Sequence, residues 1–422
     1  MTGATLRGFA GVGKNGGSLS LQAPAILMNE PADGQVVTTD IAGKLSLAPE
    51  FFGNGGFETF SLTGLGVALD KGGSLGDAQT AIAVARGTVL SPMSQNWASL
   101  PGGPVYLAPE GIRGPVNLTL KTVGPLTDIN HDELGNSVDL VLGDKSEIAT
   151  EAGGKVALTG GTIDVLGSIA APAGSITVTQ SAGYASSLKQ PTVHFGAAST
   201  LTASGTAAYK LDLFGERYKS DELDGGTISV SGNIVAEKGS QFNVSGSVDT
   251  IFALLGTPSD GFPSNAKTDL VSQTKESSGG EIDFSGDRIL FVASTLLGGA
   301  GHFAGNTGTA ASNGTLTVTT KRGGLALDVG DNVLPAPNDP VLILSAATPS
   351  FTYDPLKNEV TDATGNVYGD VNGLGQLRFG ADIINGGKFA TVKLSADNRG
   401  AIQVQGTVSL TADRQITLAD GG

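Results

Sequence analysis

The sequence contains no cysteine, so disulfide bonds and thiolate metal sites are excluded throughout its 422 residues. Aromatic residues make up only 5% of the chain and charged residues only 15%. No apolar run reaches the roughly 18 residues that a membrane-spanning helix needs. Acidic residues outnumber basic residues by 40 to 25, and the net charge of −15 disfavours nucleic acid and anionic lipid as partners. We therefore expect no nucleic-acid binding and no membrane insertion.

Glycine is the residue in excess. It supplies 64 of the 422 residues, and the usual share is only about 7%. Serine, threonine, valine, isoleucine and alanine accompany it, whereas disordered chains are rich in charge and poor in β-branched residues. This composition predicts many short strands with small side chains, joined by tight turns.

One five-residue phrase recurs along the chain: glycine, any residue, apolar, small or polar, apolar. Its alternation has a period of two, which is typical of a strand with one buried face. The leading glycine indicates either a positive φ or a close approach of two backbones. The phrase occupies residues 17–21, 154–158, 174–178, 226–230, 280–284, 314–318 and 400–404.

The spacing of these phrases predicts a β-solenoid, in which short coils stack and bury a shared core. "GGKVALTGGTIDVLGSIAAPAGSITVTQS" (153–181) contains three short strands between Gly154 and Gly174. At a strand spacing of about 4.8 Å, about 15–20 coils would form a rod roughly 70–100 Å long. We expect inward rows formed by Val156 with Leu158, Ile176 with Val178, and Ile228 with Val230, and outward positions at Ala157, Thr177 and Ser229.

Four segments lack the repeated phrase, and they contain larger residues in a less periodic order. We predict an all-β fold in which residues 1–422 form one rod with loop excursions. The excursions are expected near 84–116, 208–224, 250–279 and 345–372.

Several longer phrases, in their order along the chain, resemble one protein family. They are "FFGNGGFETFSLTGLG" (51–66), "ASLPGGPVYLAPEGIRGPVNLTL" (98–120), "KVALTGGTIDVLGSIAAPAGSITV" (155–178), "FGAASTLTASGTA" (195–207) and "DGGTISVSGNIVAEKGSQFNVSG" (224–246). The chain resembles the filamentous haemagglutinin family of large bacterial exoproteins over most of residues 15–330.

The resemblance implies a right-handed parallel β-helix within a fibre that is secreted or held at the bacterial cell surface. It implies export through a partner barrel in the outer membrane (two-partner secretion) and a role in adhesion or cell contact. It implies no catalytic residues and no cofactor, so we expect a protein that is not an enzyme. No signal peptide or secretion-recognition domain is seen, and we expect an internal shaft segment.

A glycine-rich stretch near the start, "GFAGVGKNGGSLSL" (8–21), matches the dinucleotide-binding pattern at Gly11, Gly13 and Gly16. That pattern needs a helix after the glycines, whereas the strand phrase "SLSL" follows here. We therefore interpret it as a turn and expect the change Gly17→Val to disturb folding.

An acidic stretch, "DINHDELGNSVD" (128–139), has oxygen ligands at the spacing of a calcium loop. The ligands would be Asp128, Asn130, Asp132 and Asp139. Glu133 stands where the sharp turn of such a loop wants glycine. We favour a polar surface loop and keep calcium binding as the alternative.

Nucleophilic catalysis has one weak candidate, Ser74 in the G-x-S-x-G match at 72–76. A histidine base would have to come from His131, His194 or His302, and nothing in the sequence places any of them near Ser74. We expect all three in solvated loops or on coil surfaces.

Two other function classes stay open. A solenoid polysaccharide lyase or hydrolase needs clustered carboxylates, and residues 214–226 hold the densest group. A glycan-binding module needs exposed aromatic residues beside polar groups. Expected partners are a host or bacterial surface glycan or protein, and open coil ends predict end-to-end association. The candidate ligand-contact residues are Trp97, Tyr106, Tyr209, Arg217 and Tyr218.

Overall fold

A computed structural model shows a chain built almost entirely of strands, so the all-β prediction is confirmed. Two short helices, Phe51–Asn54 and Ala381–Gly386, accompany the strands, and no helix in the described residues is long and apolar enough to cross a membrane. The structure describes residues 6–10, 16–29, 44–66, 80–95, 97–99, 105–107, 113–123, 139–181, 192–211, 218–254, 270–305, 310–321, 328–329, 332–333, 341–355, 359–368, 376–396 and 400–420.

Most strands form parallel ladders, and the first ladder follows the order of the sequence. Two of its strands are long and contribute only their first halves. The first ladder contains Ser18–Ala23, Thr59–Gly64, Asn117–Thr122, Lys155–Gly160, Ser175–Gln180, Thr227–Ala236, Glu281–Val292, Thr315–Thr320, Thr391–Ala396 and Gln415–Ala419.

Two further parallel ladders run beside the first. In spatial order the second ladder contains Leu45–Leu47, Ile26–Met28, Thr80–Val84, Asp139–Leu142, Thr162–Val165, Val193–Phe195, the second halves of Thr227–Ala236 and Glu281–Val292, then Gln376–Gly380, Val341–Ser345 and Ala401–Gln405. The third ladder contains Val89–Leu90, Glu147–Ala149, Ser168–Ala170, Thr200–Thr202, Gln241–Asn243 and Thr295–Leu297.

The chain path through the ladders is solenoid-like. Residues 155–170 place one strand in each ladder, and the chain then returns at Ser175 beside Lys155. Val156, Ile176 and Ile228 are in register and buried, which confirms the predicted inward rows. The described part of the first ladder has the ten strands given above rather than 15–20, because long segments between strands leave the ladders.

The recurring glycine is explained by close stacking of successive turns of the chain. A Cβ added at Gly174 would overlap the carbonyl oxygen of Gly154, and one at Gly226 would overlap that of Gly174. Gly280 and Gly314 continue this glycine column in the same way. These positions need glycine for the close approach, since none of them has a positive φ.

The first and last phrases depart from this column. At Gly17 an added Cβ would meet only ordinary contacts, at 3.5 Å from Gly8, whereas at Gly16 it would overlap the carbonyl oxygen of Gly56. The crowded glycine of the opening stretch is therefore Gly16, and the effect of Gly17→Val stays a prediction. The phrase after Gly400 lies in the second ladder, not the first.

The second ladder leaves sequence order near its C-terminal end. Gln376–Gly380 pairs with Glu281–Val292, and the earlier strand Val341–Ser345 lies outside it. The segment between these two strands folds into a small antiparallel sheet that lies back against the second ladder. The chain therefore skips one strand position of the second ladder when it forms Val341–Ser345, and Gln376–Gly380 fills that position later.

Antiparallel strands form hairpins outside the ladders. The predicted excursion 84–116 starts within the ladders, since Val89–Leu90 belongs to the third ladder, and only its middle forms a hairpin. The antiparallel sheets are Trp97–Ser99 with Val105–Leu107, Thr206–Leu211 with Tyr218–Leu223, Val248–Leu254 with Leu270–Glu276, Asp328–Val329 with Asn332–Val333, and Phe351–Asp354 with Glu359–Asp362 and Val367–Tyr368.

Candidate functional site

Trp97 and Tyr106 lie on the same hairpin but do not form one aromatic patch. Trp97 pairs with Leu107, and Tyr106 pairs with Ala98. Neighbouring residues of a strand point to opposite faces, so the two rings lie on opposite sides of the hairpin. The face that carries Trp97 instead exposes Val105 and Leu107, and the three form an apolar surface in solvent.

The second predicted group falls on the next hairpin. Tyr209 is exposed and pairs with Ser220, and the backbone of Tyr218 pairs with that of Leu211, two residues away. The structure thus brings positions 209 and 218 to neighbouring places on one hairpin. Arg217 lies outside the described residues.

The predicted calcium ligands are only partly described. Asp139 is the first residue of the strand Asp139–Leu142, where its backbone pairs with Thr80 and Thr162. Residues 128, 130 and 132 lie outside the described part of the chain, as do Ser74 and His131. Among the residues the structure does describe, no group of three or more histidine, aspartate or glutamate side chains is placed to hold a metal ion.

A polar cluster joins the base of two neighbouring hairpins, and we call it the Glu222 cluster. It consists of Glu222, Ser247, Asp249 and Ser277. The hairpins also meet where the backbone N–H of Phe252 donates to Ser220 Oγ at 2.6 Å. Ser247 Oγ lies 2.7 Å from Glu222 Oε1 and 2.7 Å from Asp249 Oδ2, while the backbone N–H of Ser247 donates to Ser277 Oγ.

Proton counting within the Glu222 cluster indicates a protonated carboxyl. A hydroxyl has one proton to donate, so Ser247 satisfies both short contacts only when one carboxyl donates to it. Burial raises the pKa of Glu222, and the charge of Asp249 adds to that effect, although the hydrogen bond with Ser247 opposes it. The contact geometry and the direction of the pKa shift therefore both favour Glu222 as the carboxyl that donates to Ser247.

A third carboxylate beside the Glu222 cluster has a different role. The Glu276 side chain is buried, and its Oε1 accepts the backbone N–H of Phe303 at 2.8 Å and lies 3.3 Å from His302 Nδ1. Its Oε2 accepts the backbone N–H of Ala311. Glu276 thus anchors a neighbouring loop.

A second cluster lies on the outer side of the second ladder. Asp164 and His194 are register partners, and His194 Nδ1 lies 3.1 Å from Asp164 Oδ1. His194 Nε2 lies 3.3 Å from Glu237 Oε1, close enough for an ion pair but poorly aligned for a hydrogen bond. The ring of Tyr353 stacks on the imidazole with 4.2 Å between centroids. His194 lies on the outer surface of the coil, one of the two expected places, but the sheet 351–368 covers it and it is buried.

The same sheet covers an apolar part of that outer row. Phe291 packs edge-on against Phe351, with 5.4 Å between ring centroids, and Val235 and Val360 belong to the same buried cluster. The apolar contacts hold the sheet 351–368 in place, and His194 lies at one end of them. His194 thus contacts Asp164 and Glu237 on the ladder side and the ring of Tyr353 on this sheet.

Protonation of His194 is favoured despite burial. Burial disfavours the imidazolium, but the hydrogen bond to Asp164, the contact with Glu237 and both negative charges outweigh it, so the pKa of His194 is raised from 6.5. The contact with His194 is the main reason that the pKa of Glu237 is lowered from 4.5.

These shifts predict a pH window for stability. A raised histidine pKa stabilises the fold below the unfolded value of 6.5, and that stability is lost as pH rises through the folded value. A lowered glutamate pKa stabilises the fold above the unfolded value of 4.5, and that stability is lost as pH falls through the folded value. We expect the contribution of the pair to be greatest between these two pH values.

Urea unfolding midpoints across pH, compared between the wild type and His194→Gln, measure this contribution. The difference between the two proteins should be largest inside the window and shrink on both sides. His302→Gln is the matched control, because the His302 side chain is exposed, and its difference from the wild type inside the window should be smaller than that of His194→Gln. A constant difference between wild type and His194→Gln at every pH would contradict the assignment.

Sequence reasoning singled out the acidic stretch that contains Glu222 but missed its partners, and it missed the His194 cluster entirely, because each cluster joins residues that are 25 or more positions apart. The available signal at His194 was its place between two apolar residues in "VHF", which indicates a strand rather than a loop. Comparisons with protein-family models, with curated proteins and with solved structures found no match to this chain.

Proposed function

We propose that this chain is a structural and interaction segment of a secreted, cell-surface filament, and that its fold is a right-handed parallel β-helix. The three in-register parallel ladders carry this proposal, because such stacking makes a stiff support that needs no ligand. The resemblance to the filamentous haemagglutinin family supports the same role. Export of the parent protein by an outer-membrane partner barrel is part of the proposal.

Within that role, the hairpin formed by Trp97–Ser99 and Val105–Leu107 is the proposed contact surface. Its exposed face combines an indole ring with two aliphatic side chains, Val105 and Leu107. Indole rings supply a large amphipathic contact area at low entropic cost and suit sugar rings or a protein surface. We propose a surface glycan of a host or bacterial cell as the ligand.

A glycan array with the whole chain tests this surface. For a glycan that the wild type binds, Trp97→Ala should weaken binding by roughly tenfold or more, which corresponds to about 1.4 kcal/mol. Phe252→Ala is the matched control, because Phe252 is an exposed ring on a different hairpin and its loss should leave binding unchanged. Equal binding by Trp97→Ala and wild type would remove the hairpin from the proposal.

The Glu222 cluster favours a second candidate function, a solenoid enzyme that acts on polysaccharides. Cleavage of a glycosidic bond uses a pair of carboxyl groups, and Glu222 and Asp249 each lie 2.7 Å from Ser247 Oγ. The test is whether the chain releases reducing ends from acidic polysaccharides. This function is supported if Glu222→Gln abolishes the release and Glu276→Gln retains it. If the wild type cleaves none of these polysaccharides, the enzymatic candidate is rejected and the structural role remains.

A further inference from the structure

The hairpin formed by Trp97–Ser99 and Val105–Leu107, which we call the Trp97 hairpin, leaves the ladders at the corner between the third ladder and the first. The next two hairpins along the chain leave at the same corner and contact one another. Two short turns, 150–154 and 171–174, separate them from the Trp97 hairpin. Within the described residues, no hairpin therefore stands beside it on that side, and Trp97 is 36% exposed.

Contacts at the base of the Trp97 hairpin hold it in place. Gln95 Nε2 donates to the carbonyl oxygen of Gly53 at 2.8 Å, which ties the N-terminal side of the excursion to the first helix. Ser94 Oγ donates to the carbonyl oxygen of Gly114 at 2.6 Å and joins the two sides of the excursion. A surface that is fixed before its ligand arrives loses less entropy on binding. The base of the hairpin therefore favours a role in recognition.

An ion pair fixes the C-terminal side of the same excursion. Arg113 Nε and Nη2 lie 3.0 Å and 2.5 Å from Glu151 Oε1, and Glu151 belongs to the short turn 150–154. Only 17% of the Arg113 side chain and 14% of the Glu151 side chain are exposed. Because Glu151 neutralises the guanidinium and holds it at the base, Arg113 is not available to bind an acidic ligand.

The sequence of the excursion supplies no other cation. From residue 87 to residue 112 it contains no lysine, arginine or histidine, and Glu110 is the only charged residue. Arginine and lysine are the side chains that usually bind carboxylate groups. The whole chain has a net charge of −15, so it repels acidic ligands. The charge around the Trp97 hairpin therefore suits a ligand without negative charge.

We infer that the Trp97 hairpin binds uncharged glycans and discriminates against acidic ones, with Arg113 and Glu151 as positioning residues. The inference rests on the proposed function and adds the class of glycan that the surface takes. The indole ring and the neighbouring side chains of Val105 and Leu107 can cover the C–H face of a sugar ring. The described surface offers no free guanidinium or ammonium group to a carboxylate.

Fluorescence titration of the whole chain tests the inference, because Trp97 is its only tryptophan and reports binding without a label. The probes are oligomers of N-acetyllactosamine and of cellulose, each in its uncharged form and in a form that carries carboxylate groups. At low salt the uncharged form should bind at least about tenfold more tightly than its carboxylated form. Added salt should narrow the difference, because it screens the repulsion.

The outcomes separate this inference from the proposed function. If the carboxylated forms bind equally well or better at low salt and Trp97→Ala abolishes that binding, the inference is overturned and the contact surface remains. If no uncharged or carboxylated probe binds, and no glycan on the array does, the proposed contact surface fails and the inference fails with it.

Glu151→Gln tests the positioning role. It should weaken binding of the uncharged probe by about threefold or more, because the hairpin then has to be ordered on binding. It should also speed the decay of Trp97 fluorescence anisotropy, which a loss of overall stability alone would not do. Asp144→Asn is the matched control, since it breaks the exposed ion pair with Arg86 and should change neither quantity. Unchanged binding and anisotropy in Glu151→Gln would overturn the positioning role, and circular dichroism confirms that the variants are folded.

Discussion

Gly226→Ala should destabilise the protein by about 3 kcal/mol or more, although it adds only one methyl group. The added Cβ would overlap the carbonyl oxygen of Gly174, and it would also crowd that residue's backbone N and C atoms. Backbone atoms cannot rotate away as a side chain does, so two turns of the ladder have to separate. The urea unfolding midpoint measures this loss.

Gly17→Ala is the matched control, because Gly17 precedes the first strand of the ladder, Ser18–Ala23, as Gly226 precedes Thr227–Ala236. Its added Cβ would meet Gly8 at 3.5 Å and Phe57 at 3.8 Å, both of which are ordinary van der Waals contacts. The change should leave stability within about 1 kcal/mol of the wild type. If both variants lost equal stability, close stacking would not be the reason for the glycine column.

Phe284→Ala should cost about 3–5 kcal/mol, the range for removal of a buried ring. Phe284 is fully buried, and its ring centroid lies 5.2 Å from that of Phe242 and 6.3 Å from that of Phe379. These three rings come from different ladders, so the cavity would open where the ladders meet.

Phe252→Ala removes a ring of the same size that is 43% exposed. It should change stability by no more than about 1 kcal/mol, since little packing is lost. Thermal unfolding of both variants checks the contrast. A loss at Phe284 as small as that at Phe252 would show that the ladders do not share one core.

Local pattern was enough to predict six of the ten strands of the first ladder. Val156, Ile176 and Ile228 stand at the same place in three copies of the phrase, and each copy alternates strictly. Alternation fixes which side chains face inward, because a shift by one residue would turn every apolar side chain outward. The repeat therefore determines both the strand and its register.

Local pattern was insufficient where strands compete for one position. "VLILS" (341–345) and "QLRFG" (376–380) are both short strands with apolar residues at the second and fourth positions, and nothing within either one shows which pairs with Glu281–Val292. That choice depends on how the segment between them folds against the second ladder. The burial of His194 has the same origin, because the sheet that covers it arrives from about 160 residues further along the chain.

Distances between spin labels along the outward row of the first ladder test the stacked arrangement most directly. The chain has no cysteine, so introduced cysteines are the only labelling sites. Ser61 paired in turn with Ser229, Thr317 and Lys393 spans four, six and seven strand spacings in the ladder. At about 4.8 Å per spacing, the expected backbone separations are about 19, 29 and 34 Å. We predict that the measured distance increases by about 4.8 Å for each strand spacing. Distances that do not increase in this order would contradict the stacked ladders.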